Sequence, residues 1–210
     1  MNTYLSRMIA GLGLLGVTAL APHVAQAVPV TSLAVASSIT MPVLNVFGGG
    51  PQTLAPGMTW TSTNSDAVFG YTDGYDFNGN GAWDYTKTMV GTNDASSSMT
   101  ITFDKAVTAF GGFFNWAPGE GLASIAAYDV NNVLIESLDL TFLTDGSLNS
   151  GAFFGFQESG TSIKSFVMTG AYIGAADFQV QTVPEPGTVA LLLGGLGLLG
   201  LVSRSKSRGG

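Results

Sequence analysis

The chain has 210 residues, a formal net charge of −7 and no cysteine, and its single histidine, His23, falls close to the N-terminus. Beyond residue 27 there is neither His nor Cys. That excludes Ser-His-Asp and Cys-His catalysis, histidine bases, disulfides and ordinary zinc sites there.

Met1 to Ala27 reads as a secretory signal peptide. Arg7 supplies the positive start, Met8 to Ala21 the apolar stretch, and Ala25-Gln26-Ala27 an A-x-A site. Cleavage by signal peptidase then makes Val28 the first residue of the exported chain.

Residues 28–183 have the size of one domain. They carry Lys87, Lys105 and Lys164 against thirteen carboxylates, a net charge near −10. Such a field repels nucleic acid, so none is expected as a partner. Short stretches of alternating apolar and polar residues predict strands near 32–46, 58–63, 67–71, 98–103, 106–115, 123–130, 133–142, 152–157, 162–169 and 175–182. Asn131-Asn132 predicts a tight hairpin turn between 123–130 and 133–142. Many short strands with frequent turns predict an all-β fold: an antiparallel β-sandwich, jelly-roll or lectin-like.

Three groups of residues are candidate sites. Asp76-x-Asn78-x-Asn80-Gly81, with Asp84 at the ninth position, follows the oxygen-ligand spacing of a calcium loop, although Lys87 stands where a closing Glu belongs. The competing reading is a solvated turn. Trp60, Tyr71, Tyr75, Trp83, Tyr85 and Trp116 offer faces for stacking on sugars. Trp83, Tyr85, Trp116 and Asn115 are the candidate glycan-binding residues among these and their neighbours. The competing reading is core packing. Glu120, Glu136 and Glu158 are the carboxylates available to a glycosidase pair, which requires a defined separation in space.

Thr188 to Val202 is uncharged and is followed by Arg204, Lys206 and Arg208. Such a run is viable in lipid only as a helix. At ~1.5 Å per residue it spans about 22 Å, short of a ~30 Å hydrocarbon core. One transmembrane helix is therefore expected at 188–202, with the basic tail 203–210 in the cytoplasm and the domain outside.

Pro184-Glu185-Pro186, the Gly/Leu-rich run and the basic tail resemble the PEP-CTERM sorting signal, a segment also called the ice-binding protein C-terminal domain. The resemblance implies recognition by an exosortase and processing near Pro-Glu-Pro. It also implies transient anchoring in the inner membrane, then a cell-surface or extracellular location in exopolysaccharide-producing, biofilm-forming bacteria. "GGFFNWAPGEGLASIAAYDVNNVLIESLDL" and "GAFFGFQESGTSIKSFVMTGAYIGAADFQV" resemble the extracellular domain of many PEP-CTERM proteins. That resemblance, over about Ala67 to Val180, implies a lectin-type sandwich and no catalytic residues. The leading expectation is a non-catalytic surface or matrix protein. The alternatives are an exopolysaccharide-binding module, calcium-assisted or not, and a carboxylate-based glycoside-active enzyme.

Overall fold

The computed structural model describes residues 28–84, 86–159 and 162–182. Among them the chain forms fifteen strands, one 3₁₀ turn (Asn78–Asn80) and no α-helix. In chain order the strands are β1 (Val28–Val30), β2 (Ser37–Ser38), β3 (Val46–Phe47), β4 (Gln52–Ala55), β5 (Met58–Ser62), β6 (Val68–Tyr71), β7 (Ala82–Trp83) and β8 (Met89–Gly91). They continue with β9 (Ser98–Asn115), β10 (Ala123–Tyr128), β11 (Leu134–Leu140), β12 (Leu148–Asn149), β13 (Ala152–Gln157), β14 (Ile163–Thr169) and β15 (Gly174–Thr182). The expected all-β antiparallel sandwich is present.

Strand β9 organises the fold. The sequence reads as two strands there, 98–103 and 106–115, but the chain continues as one strand of 18 residues. Met99, Ile101 and Phe103 face inward, and the exposed pair Asp104-Lys105 breaks that alternation. Before the break β9 pairs with β5 and β14; beyond it, with β13 and β15, β14 reaching across the break at Ile163–Val107. One layer thus runs β4-β5-β9-β14-β10-β11, and the other β1-β13-β9-β15-β8-β6-β3, with β2 beside β15. Sharing a strand lets a single chain segment sit at the centre of both layers.

The core between the layers is aromatic. Phe110 stacks on Phe178 and meets Phe103 and Phe166 edge-on, with centroids 5.4, 5.0 and 5.0 Å apart. Fully burying such side chains is worth about 1.5–3 kcal/mol each, which is the main stabilising term open to a chain without disulfides. Gly111 and Gly155 lie opposite one another on β9 and β13. A Cβ on either would stand 2.6 Å from a carbonyl oxygen of the facing strand. Only glycine permits the two backbones this approach.

The hairpin predicted at Asn131-Asn132 forms, with Asn132 at φ 59°. The long strand expected over 32–46 does not. Only Ser37–Ser38 and the start of Val46–Phe47 pair within it, because Pro42 removes a donor and Asn45 turns the chain at φ 49°.

Val28, Gln157, Ala109 and Gln181 form one row across β1, β13, β9 and β15. The first described strand and the last therefore meet at the same end of the sandwich. Residues 1–27, including Ala25 and Ala27, lie outside the described residues. So do Tyr85, Pro184, Glu185, Pro186, the expected span 188–202, and Arg204, Lys206 and Arg208.

Candidate functional site

Opposite the Val28 row, the segments 76–84, 115–122 and 142–151 converge around Asn80. This asparagine is fully buried in the 3₁₀ turn. Its main-chain oxygen accepts from Asn115 Nδ2 (3.2 Å), Asn149 Nδ2 (2.8 Å) and the Thr144 hydroxyl (2.7 Å). Its side-chain oxygen accepts from the Thr144 backbone N–H at 3.1 Å. Asn115 Nδ2 also donates to Asn149 Oδ1 at 3.1 Å. Buried amides left unpaired are costly, and here each finds a partner.

The four candidate calcium ligands are arranged as turn residues. Asp76 Oδ1 accepts from the Asn78 N–H at 2.6 Å and Asp84 Oδ1 from the Thr86 N–H at 2.9 Å. Asn78 Nδ2 donates to Glu120 at 3.1 Å. Asn80 turns its oxygen to Thr144. Lys87, at the position of the missing closing ligand, pairs with Asp177 and lies 5.2 Å from the Phe113 ring centroid. Among the described residues no group of three or more His, Cys, Asp or Glu could hold a metal ion.

The aromatic residues divide by burial. Trp83 is buried with Phe77 and Tyr75, and so offers no face to a sugar; Asn115, equally buried, is spent within the Asn80 network. Trp60 belongs to the main core. Burial pushes the Tyr75 phenol well above its usual range, and its oxygen accepts from the Asn93 N–H at 2.8 Å. Trp116 is different. It is half-buried, and its indole N–H donates to the Phe142 carbonyl at 3.1 Å, which fixes the ring beside the loop carrying Glu120. Leu143 and Leu148 stand exposed on the neighbouring segment.

The three carboxylates do not converge: Glu120 lies apart from Glu158 and Glu136, which are neighbours. Glu120 sits at the Asn80 end. Glu158 follows β13 at the Val28 end and is buried, with Glu136 close enough to raise its pKa. Glu158 stands two residues beyond buried Phe156, and that shared parity is the sequence signal that it faces inward. Surface clefts lined by Ala34–Ser37 with Val180–Thr182, by Pro56–Met58 with Phe103–Lys105, and by Ser38–Met41 with Thr86–Thr88 contain none of these glutamates.

No curated protein matches the sequence. Among solved structures, the chain is similar to the lectin domain of Lectinolysin complexed with Lewis B antigen (13% identity, 61% of this chain and 94% of that one, TM-score 0.35). It is similar to a Streptococcus pneumoniae fucose binding module (14%, 67% and 96%, 0.34). It is also similar to the family 32 carbohydrate-binding module of C. perfringens NanJ in complex with galactose (16%, 60% and 93%, 0.32). No function is taken from likenesses of this size. The C-terminal segment is specific: residues 182–208 match the family described as the PEP-CTERM protein-sorting motif.

Proposed function

We propose that this is an exported protein, sorted and processed by an exosortase, whose β-sandwich acts without catalysis at the cell surface or in the extracellular matrix. The observation that carries the reading is the sorting motif at residues 182–208, which starts at Thr182, the last residue of β15. The address is thus joined directly to the folded domain. The finer steps of this reading are cleavage before Val28, a membrane helix at 188–202 and a cytoplasmic tail. Intact mass and fractionation of the protein from its native host test them. A product starting at Val28 and ending near Pro184-Glu185-Pro186 is expected. A surface product that retains Met1 and Arg208 overturns the reading.

A second reading, binding of exopolysaccharide, is favoured by one feature: Trp116, fixed by Phe142 beside the exposed Asn78–Glu120 pair. An aromatic face next to polar groups suits a sugar ring. Glycan-array binding that is lost in Trp116→Ala while the melting temperature holds supports it. Absence of binding to any acidic or neutral glycan removes it. Calcium enters this reading only if binding needs the ion. Turnover by Glu120, Glu136 or Glu158 finds no support: Glu120 lies at the opposite end from the other two, and none of the three lines the clefts named above.

A further inference from the structure

Glu158 is the one carboxylate buried among the described residues. It is 6% exposed, and neither side-chain oxygen has a hydrogen-bond partner. An ionised carboxylate taken out of water without a partner is strongly destabilising. Lys87 is paired with Asp177 and Lys164 donates to the Asp104 carbonyl, and no lysine is hydrogen-bonded to Glu158. Burial pushes the Glu158 carboxyl above the usual glutamate range, and the neighbouring charge of Glu136 raises it further. The site therefore holds two carboxylates and wants a cation.

The register of β1 says where one would come from. Val28 lies opposite Gln157, Pro29 opposite Phe156 and Val30 opposite Gly155. In an antiparallel pair the chain direction reverses, so the nitrogen of Val28 lies on the Glu158 side of the Val28–Gln157 pair. Neighbouring strands are about 5 Å apart, a distance that a glutamate side chain bridges. Glu158 shares the inward face of Phe156 by alternation. Packing of β1 near β11, the strand of Glu136, brings the second carboxylate to the same corner.

We infer that Glu158, assisted by Glu136, is the binding site for the α-ammonium group that appears at Val28 when the signal peptide is removed. The inference rests on the cleavage position read from Ala25-Gln26-Ala27. Hydrolysis of the Ala27–Val28 peptide bond adds water: the hydroxyl goes to the Ala27 carbonyl carbon and the hydrogen to the Val28 nitrogen. The free amine takes up a proton, since an α-amino group ordinarily titrates at about 7.7–8.0. A neutral amide with one donor becomes a cation with three. It can meet both unpartnered oxygens of Glu158. Processing thus completes the fold's electrostatics, and the precursor is the less stable form.

The test uses recombinant chains that keep the whole C-terminal segment, purified in detergent, so that its outcome does not depend on where cleavage occurs in the host. One chain begins at Val28 after proteolytic removal of a tag; the other retains Val24 to Ala27. Thermal melting at pH 7 is compared for each, with and without Glu158→Gln. The chain beginning at Val28 is expected to melt about 4 °C or more above the longer one, and Glu158→Gln is expected to abolish the difference. Equal melting of the two chains, or a difference that survives Glu158→Gln, overturns the inference. Titration of the Val28 α-amine by NMR is a second reading that needs no variant. A pKa raised above about 8 supports the pairing, and an ordinary or lowered value overturns it.

Discussion

Asn115 on β9 donates its side-chain amide to the main-chain oxygen of Asn80, 35 residues earlier, at 3.2 Å and out of contact with water. The bond ties the centre of the sandwich to a surface turn. Leaving a buried partner unsatisfied costs about 1–3 kcal/mol. Asn115→Ala and Asn149→Ala are each expected to destabilise by that amount in urea unfolding. Because the Asn115 Nδ2 to Asn149 Oδ1 hydrogen bond is lost in either variant, the double variant is expected to cost less than the two separate losses together.

Calcium is expected to leave the melting temperature where magnesium at equal ionic strength leaves it. Asp76, Asn80 and Asp84 each already spend a side-chain oxygen on a backbone N–H. A calcium-specific rise that disappears in Asp76→Ala would show that the turn reorganises around the ion, by the ordinary linkage of binding to folding.

Acid should weaken the fold through its turns. Thr86, Ser96 and Val133 backbone N–H groups hold the carboxyls of Asp84, Asp94 and Asp129 below the usual value of 3.8, and the Ser147 hydroxyl does so for Asp145. A lowered folded-state pKa means stability that is present above 3.8 and lost as pH falls through the folded value. The urea midpoint is expected to fall below pH 4. The fall should be shallower in Asp129→Asn, which keeps the side-chain acceptor oxygen and loses the titration.

Gly155→Ala is expected to be costly despite the small change. The added methyl meets the Phe110 carbonyl oxygen at 2.6 Å and Gly111 Cα at 2.7 Å, so two central strands must separate. Overpacking of this kind costs about 1–3 kcal/mol. Gly79→Ala, where nothing lies within 4 Å, is the control and should change stability by much less.

Replacing Arg204, Lys206 and Arg208 together by Asp removes the positive charge that keeps a tail in the cytoplasm. Processing in an exosortase-bearing host is expected to fall, with unprocessed chain accumulating in intact-mass spectra. Unchanged processing would show that the motif is read without its basic end.

Most strands were legible because their faces differ. Ala152–Gln157 falls on the expected residues, and 58–63, 98–103 and 162–169 within a residue or so at their starts. Strands β1, β4, β7, β8 and β12 fall outside the expected stretches; they are two to four residues long, too short for a period of two to stand out. The bend of β9 looked like a turn because Asp104-Lys105 is exposed, although the ladder on one side resumes at Val107. The site was harder. Nothing local distinguishes a tryptophan that seals a second core, such as Trp83, from one that stays half-buried, such as Trp116. Their difference lies in Phe77, Tyr75 and Phe142, brought there by the topology.

The row that joins Val28 to Gln181 sets the posture of the domain. From Ala109 in that row to Asn115 at the other end, β9 runs six residues, roughly 20 Å at strand rise. On the proposed reading, in which the sorting segment anchors the chain at a membrane, that length is a stand-off between the Val28 corner and the Trp116–Glu120 loop. Only Val183 separates the last residue of β15 from Pro184. On the proposed reading, an enzyme that cuts near Pro184 works within a few residues of a folded strand.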